Sequence, residues 1–178
     1  MTHQKLILSS PLLEIMISRL CQQLIENHGD FHNSVAMGLQ PRGVYFAERV
    51  VAELRRTTGI AVPLGYLDAT FYRDDFRRGD ILTPNQNKIN FVIEKKRVIL
   101  IDDVLATGRM VRAAIDAMQA FGRPSKIELM VLIDRQYNRE IPVEADYIGL
   151  KVNTLESQRV KVELREQGHE ADKIWLVD

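Results

Sequence analysis

The chain has 178 residues, with 24 lysines and arginines against 24 aspartates and glutamates, so its formal charge at pH 7 is zero. This length fits one domain, and 46% apolar with 27% charged residues is typical of a globular protein rather than a disordered or fibrous one. Zero net charge argues against a surface that is basic throughout, as a general nucleic-acid binder has, although a local patch is still allowed.

The single cysteine, Cys21, excludes an intramolecular disulfide framework and multi-cysteine zinc sites. Its helical, apolar surroundings predict a buried thiol rather than a nucleophile. No window reaches the length of about 18 apolar residues that spans a membrane, and the first residues do not resemble a signal peptide. We therefore expect a cytoplasmic protein without a membrane partner.

Apolar spacing and turn residues predict an alternation of helices and strands. Ser10 and Pro11 begin a helix that ends at His28-Gly29, a second helix covers 43–57, and a third follows 106–108 and closes at Gly122. Strands are predicted over 34–38, 61–68, 97–103 and 127–134, and short β-rich pieces over 147–152, 160–164 and 174–177. The polar stretch 73–90 has no sustained period, which is typical of a functional lid or a disordered loop.

This alternation predicts a single α/β domain over 1–178, with a central, mostly parallel sheet and helices on both faces. Ligands of such sheets bind outside the carboxyl ends of the strands. Three predicted strand ends carry polar residues, at 38–43, 102–108 and 134–135. Their convergence indicates the site more strongly than any one motif.

The segment VILIDDVLATGRM, 98–110, carries the strongest signal. A buried strand delivers Asp102 and Asp103 to its end, and Ala106-Thr107-Gly108 then turn into a helix whose first amides suit a phosphate. Neighbouring strand residues point to opposite faces, so the two carboxylates are predicted to do different work. One can accept hydrogen bonds from ribose hydroxyls, and the other can orient a loop or reach a water on Mg²⁺.

An acidic pair alone also suits other doubly wound proteins, such as a receiver domain with a phosphoacceptor aspartate. The full pattern instead resembles the 5-phosphoribosyl-1-pyrophosphate (PRPP) signature of type I phosphoribosyltransferases. The order of four segments resembles one subfamily, the PyrR proteins, which are pyrimidine operon attenuators and uracil phosphoribosyltransferases. These segments are AMGLQPRGVYFAERV (36–50), LGYLDATFYRDDFRR (64–78), the PRPP motif, and LIDRQYNREIPVEADYIGLKVNT (132–154).

The resemblance implies a role for each matching residue. The ribose 5-phosphate is expected at Asp102, Asp103, Val104, Leu105, Ala106, Thr107, Gly108 and Arg109. Pyrophosphate is expected at Gln40, Pro41, Arg42, Gly43, Arg73 and Arg135, although Gln40-Pro41 departs from the family's Arg-Thr-Arg-type loop and loses a charge. The residues assigned to catalysis are Asp102, Asp103 and Arg73, and those assigned to Mg²⁺, mainly through water, are Asp103 and Asp134.

A flexible lid over about 73–90 and a small hood over about 136–165, with N-terminal parts, are also implied. The base is expected at Tyr147, Ile148, Gly149 and Val152, largely through backbone groups. The implied reaction joins uracil to PRPP, releases pyrophosphate and gives UMP, without a nucleophilic side chain or general base. A phosphoribosyltransferase for another base, or a sensor that binds nucleotide without turnover, is left open. The four histidines are predicted at the surface or in caps.

Some PyrR proteins also bind a leader-RNA hairpin, so a UMP- or PRPP-responsive attenuator is the alternative function. The positions of the family's RNA-contacting pattern on the first helix are occupied here by Ser18, Arg19 and Gln22. Of these three, Arg19 keeps the family's residue, and the other two are changed. The segment after Asp134-Arg135 is one residue longer and less basic than expected, and 134–166 shows no basic stripe. The resemblance also implies a homodimer or larger assembly, for which Leu12, Leu13 and Ile17 could serve, unless they belong to the core.

Overall fold

The computed structural model describes residues 4–74 and 85–178. Most of the predicted lid, 75–84, lies outside the described residues. The described residues contain three α-helices, α1 Ser10–His28, α2 Gly43–Thr58 and α3 Arg109–Met118. The strands are β1 Gln4–Ser9, β2 Ser34–Leu39, β3 Leu64–Leu67, β4 Arg97–Leu105, β5 Lys126–Gln136, β6 Tyr147–Asn153, β7 Arg159–Glu163 and β8 Lys173–Val177.

Five strands form one parallel sheet in the order β3-β2-β4-β5-β6. The chain leaves β2 through α2 to β3 on one side, and leaves β4 through α3 to β5 on the other. Its central strands are buried on both faces, as their uninterrupted apolar runs predict. The α/β prediction is confirmed, and this sheet is parallel throughout.

Two apolar cores lie against the two faces of this sheet. One contains the inner faces of α1 and α2, and the other contains the inner face of α3. Cys21 belongs to the first core and is buried, as predicted, and burial raises the pKa of its thiol to about 12. Leu13 and Ile17 are also core residues, whereas Leu12 is exposed. Of the described helices, none is long and apolar enough to cross a membrane.

A second sheet contains three antiparallel strands in the order β1-β8-β7. The predicted hood over 136–165 therefore needs correction. β6 lies inside that range, but it pairs in parallel with β5 and belongs to the main sheet. Two of the second sheet's three strands, Gln4–Ser9 and Lys173–Val177, come from opposite ends of the described chain.

Arg49 of α2 fastens the second sheet to the main body. Its guanidinium forms two hydrogen bonds with Asp172, at 2.8 and 2.9 Å, and also pairs with Glu166. Asp172 precedes β8 and is 2% exposed. Burial opposes its ionisation, but hydrogen bonds from Arg49 and from the Arg165 amide hold the pKa of this carboxyl below its usual value. The pair is therefore charged, with a buried carboxylate and a partly exposed guanidinium.

A buried polar network occupies the amino-terminal edge of the main sheet. His28 Nδ1 lies 2.8 Å from Ser34 Oγ, and its Nε2 lies 3.3 Å from both Glu128 Oε2 and Tyr147 Oη. Arg97 donates to Glu128 Oε2 from Nε at 3.2 Å and from Nη2 at 3.0 Å. The expectation that His28 lies at the surface is wrong, because this network surrounds its ring, and burial lowers the pKa of the imidazole.

Replacing Arg49 tests how the second sheet is attached. Arg49→Met would leave the buried Asp172 carboxylate without its cation, so we expect a loss of about 3 kcal/mol in the free energy of unfolding. Arg56→Gln, on the same helix, breaks only an exposed pair with Glu53 and should cost about 0.5 kcal/mol or less. Urea unfolding measures both, and equal losses would contradict a special role for Arg49.

Candidate active site

The connections of the main sheet place a crevice between β2 and β4. The chain turns to opposite sides of the sheet after these two strands, and ligands of open α/β sheets bind at such a switch point. Two of the predicted segments, the 40–43 loop after β2 and the 106–109 loop after β4, flank this crevice. The residues predicted from the sequence in these two segments thus lie at the edge of the sheet where the topology opens the crevice.

Asp102 and Asp103 lie at the end of β4 and are both buried. Asp102 Oδ1 accepts a hydrogen bond from the Asp103 amide at 2.9 Å. Burial, reinforced by the negative charge of Asp103, raises the pKa of Asp102 well above its usual value, and burial also raises that of Asp103. The fold thus holds two costly carboxylates at this position.

Arg42 and Gly43 bring the first loop against this acidic pair. The positive charge of Arg42 opposes the rise in pKa at both aspartates. A Cβ atom on Gly43 would lie 2.8 Å from Asp102 Oδ1 and from the Ile101 carbonyl oxygen, closer than real Cβ contacts. Only glycine therefore lets α2 start this close to Asp102. The Gln40–Pro41 peptide bond in this loop is cis.

The 106–109 loop has the predicted turn into a helix. Gly108, with φ of 88°, precedes α3, and the Thr107 hydroxyl accepts a hydrogen bond from the Arg109 amide at 3.3 Å. Leu105 is buried in the α3-side core, and Val104 packs against the other core, so these two predicted residues offer a ligand their backbone groups.

Arg109 joins three segments of the site. Its Nε donates to Glu140 at 2.5 Å and its Nη1 donates to Asp74 at 3.0 Å. Asp74 follows Arg73 and also pairs with Arg112. The side chain of Arg109 therefore holds the start of the predicted lid and the 139–143 segment beside the 106–109 loop.

Asp134 is bound by protein groups at the end of β5. The carboxylate is buried, Oδ1 pairs with Arg139 at 2.6 Å, and Oδ2 accepts from Gln136 at 2.9 Å. Each oxygen thus has one protein donor, and the contact of Asp134 with Mg²⁺, mainly through water, stays a prediction. Arg139, which we did not assign to the site, also donates to the Ala106 carbonyl oxygen. The one sequence signal for it is an arginine five residues after a strand-end aspartate.

Asp68 is a second residue that sequence reasoning missed. It is buried, and its carboxylate accepts hydrogen bonds from the amides of Thr70 and Asn85, at 3.0 and 2.7 Å. Gln40 Nε2 donates to the Gln86 carbonyl at 2.8 Å. The two flanks of 75–84 are thereby tied together next to the first loop. The Asp-x-Thr spacing is a turn signal that could have indicated Asp68.

Two predicted site residues point elsewhere. Arg135 donates to Thr154 Oγ1 at 3.2 Å and to the Gln158 carbonyl at 2.5 Å, so it holds the turn after β6. Tyr147 is buried at the amino-terminal edge of the sheet, where its hydroxyl donates to Glu128 at 3.2 Å. This is the opposite edge from the crevice, so Tyr147 is withdrawn from the base site.

The other residues of β6 have mixed placements. Ile148 packs against the α3-side core, and a Cβ atom on Gly149 would lie 2.3 Å from the Leu132 carbonyl oxygen. Val152 pairs with Arg135 near the carboxyl end of the strand. Of the four residues predicted to surround the base, Val152 lies nearest the carboxyl-terminal edge of the sheet, where the crevice is.

The predicted RNA residues lie on α1. Arg19 Nη2 donates to the carbonyl oxygens of Ile148 and Gly149, at 3.1 and 2.6 Å. Gln22 donates to Glu26 at 3.3 Å, and a hydrogen bond from Ser18 lowers the pKa of Glu53, after the larger effect of Arg56. These residues are not part of the crevice.

The acidic pair also bears on whether the site fits Mg²⁺. Within residues 4–74 and 85–178, no three histidine, cysteine, aspartate or glutamate side chains form a metal-binding group. Mg²⁺ usually takes one or two carboxylates and completes its shell with water and substrate oxygens. Asp102 and Asp103 fit that donor set.

The family model for the phosphoribosyl transferase domain matches residues 3–167, so the chain is a member of the phosphoribosyltransferases. Among curated proteins, it is 40% identical to the bifunctional protein PyrR 2 of Lactiplantibacillus plantarum over 96% of this chain and 98% of that one. It is also 42% identical to the bifunctional protein PyrR of Desulfosudis oleivorans over 86% of each. Within its class, the chain belongs to the PyrR family.

Solved structures agree on the fold. A hypoxanthine phosphoribosyl transferase from Trypanosoma cruzi aligns with a TM-score of 0.74 at 14% identity, over 98% of this chain and 91% of that one. A hypoxanthine-guanine phosphoribosyltransferase from Bacillus anthracis aligns with a TM-score of 0.71 at 17% identity, over 100% and 99%. At this identity the match supports the type I phosphoribosyltransferase fold and nothing finer.

Gly43 offers a test of the close approach between α2 and Asp102. We expect Gly43→Ala to weaken PRPP binding at least tenfold in calorimetry, because the new methyl group must displace Asp102 or the loop. The control is Gly59→Ala at the other end of α2, where φ is 76° and the space is open. Its strained backbone should cost about 1 kcal/mol of stability without changing PRPP affinity. Unchanged binding by Gly43→Ala would contradict this geometry.

Proposed function

We propose that this protein transfers the phosphoribosyl group of PRPP to uracil, giving UMP and pyrophosphate. The observation that carries phosphoribosyl transfer is the approach of Arg42 and Gly43 to the buried Asp102–Asp103 pair beside the 106–109 loop. The PyrR relatives, aligned over nearly the whole chain, support uracil as the base.

The chain's own groups account for binding and orientation. The amides at the start of α3 receive the 5′-phosphate, and Asp102 with Asp103 receives the ribose hydroxyls. Arg42 and the 40–43 loop bind the pyrophosphate, with Arg73 entering from the start of the predicted lid. In the reaction the uracil N1–C1′ bond forms, the bond from C1′ to pyrophosphate breaks, and the N1 proton is lost.

Catalysis in this scheme depends on positioning and charge rather than on a nucleophile. A bound Mg²⁺ would supply positive charge to the departing diphosphate, and Asp103 is the residue we assign to it, mainly through water. Arg42 adds a positive charge close enough to oppose the rise in the pKa of both aspartates. The base would be held largely by backbone groups after the carboxyl end of β6, near Val152.

An assay with purified protein, PRPP and Mg²⁺ tests this proposal against each nucleobase. We expect UMP from uracil, and its rate should fall on the order of 100-fold or more in Asp102→Asn and Asp103→Asn, which remove the charge that orients ribose and metal. Asp116→Asn, on the outer side of α3, is the matched control and should keep full activity. Metal chelation should also abolish turnover.

Three results would contradict the assignment. Turnover of hypoxanthine or guanine in place of uracil would move the protein to the purine enzymes. PRPP binding without turnover of any base would indicate a sensor. Equal activity in the acidic-pair variants and the wild type would remove Asp102 and Asp103 from the mechanism.

Binding of a pyrimidine-operon leader RNA is the second candidate function, favoured by relatives that are named bifunctional. Arg19 is exposed but donates to carbonyl oxygens of β6, and the neighbouring Ser18 and Gln22 are hydrogen-bonded to carboxylates. Carboxylates repel RNA phosphates, so we propose an interaction that is weak and strongly salt-dependent. The assembly implied by the resemblance is proposed as a homodimer, and of its three candidate residues Leu12 is the exposed one.

Filter binding across a salt series tests the RNA function. We expect the leader hairpin to bind at least tenfold more tightly than a scrambled RNA at low salt, and affinity to fall as salt rises. Arg19→Gln should lower leader affinity, whereas Arg56→Gln, an exposed arginine of α2, should not. Equal affinity for leader and scrambled RNA would exclude specific regulation.

A further inference from the structure

The 139–141 segment holds two consecutive carbonyl groups of the 106–109 loop. The Ala106 carbonyl oxygen accepts a hydrogen bond from Arg139 Nη1. The Thr107 carbonyl oxygen accepts from the amides of Glu140 and Ile141, at 2.9 and 3.0 Å. Both carbonyl groups therefore point toward one segment.

The orientation of these two carbonyl groups also fixes the orientation of the N–H groups that follow them. In a trans peptide the C=O and the following N–H point in opposite directions. The peptide bonds after Ala106 and Thr107 are both trans. The N–H groups of Thr107 and Gly108 are thus directed away from the 139–141 segment, and no hydrogen bond joins them to another group of the described chain.

The side chain of Arg139 is itself oriented by a buried carboxylate. Its Nη2 pairs with Asp134 Oδ1 at 2.6 Å, and Asp134 is 3% exposed at the end of β5. One terminal amino group of the guanidinium, Nη2, thus binds the buried carboxylate, while the other, Nη1, donates to the Ala106 carbonyl oxygen. Lysine, with a single nitrogen, could not reproduce this planar two-nitrogen bridge.

The loop and the segment are also packed tightly together. A Cβ atom on Gly108 would lie 3.2 Å from the Ile141 carbonyl oxygen and 3.3 Å from Val143 Cβ. The loop therefore has little room to rotate its peptide planes while the segment stays in place. A rotated plane would turn a carbonyl oxygen toward the phosphate and repel it.

We propose that Arg139 is a positioning residue for PRPP: it is oriented by Asp134 and fixes the Ala106 carbonyl so that the Thr107 and Gly108 amides face the 5′-phosphate. This inference rests on the proposed function, since it assigns the 5′-phosphate to this loop. Both terminal amino groups of Arg139 are engaged by protein, so it acts through the loop rather than by touching the substrate.

Separate binding of the two halves of PRPP tests the proposal. We expect Arg139→Met to weaken binding of ribose 5-phosphate at least tenfold in calorimetry, and Arg139→Lys to restore less than half of that loss. Binding of inorganic pyrophosphate, at the 40–43 loop, should change less than twofold. In the transferase assay, KM for PRPP should rise more than kcat falls. Arg123→Gln, in the loop after α3, serves as the control and should match wild type throughout.

Arg139→Met leaves Asp134 buried without its cation, so the variant could fail to fold. The double variant Arg139→Met/Asp134→Asn removes that charge, and we expect it to fold and to show the same selective loss of ribose 5-phosphate. Equal loss of both ligands, or loss of neither, would overturn the positioning role. Failure of the wild-type protein to bind either ligand would instead overturn the proposed function, and this inference with it.

Discussion

The burial of Asp102 and Asp103 at the end of β4 is the constraint on which the rest of the site depends. Carrying two adjacent carboxylates out of water costs free energy, and the raised pKa of both groups reflects this cost. The positive charge of Arg42 opposes the rise in pKa, and Gly43 lets the backbone approach the pair. A ligand with hydroxyl groups, together with a divalent ion, would supply hydrogen-bond donors and positive charge to these two buried carboxylates.

The sheet topology explains why so few segments are needed to build this site. Parallel strands present their carboxyl ends at one edge, and the reversal between β2 and β4 opens a crevice there. The polar residues of the opposite edge form a separate network around His28 and Glu128, whose members hydrogen-bond to one another. The candidate site and this polar network therefore lie at opposite edges of the same sheet.

Much of the main sheet and the position of the candidate site could be predicted from the sequence, because local patterns of apolar and polar residues indicate them. The apolar runs of β4 and β5 define buried strands, and the aspartates near their carboxyl ends mark the edge that holds the candidate site. Strand β1 was missed because its partner, β8, lies far away in the chain and leaves no local pattern. Tyr147 and Arg135 lie away from their predicted positions for a related reason: the partner of a polar side chain depends on packing between distant segments. Arg139 acts through the Ala106 backbone, and no motif records such a contact.

Strand β6 is the outer strand of the described main sheet, and Arg19 donates to two of its carbonyl groups. An uncovered strand edge is a template on which another chain can add a strand. A charged side chain bound to the backbone of such a strand is one of the features that make its edge a poorer template. Arg19 therefore has a structural contact with β6 that does not depend on whether the protein binds an RNA.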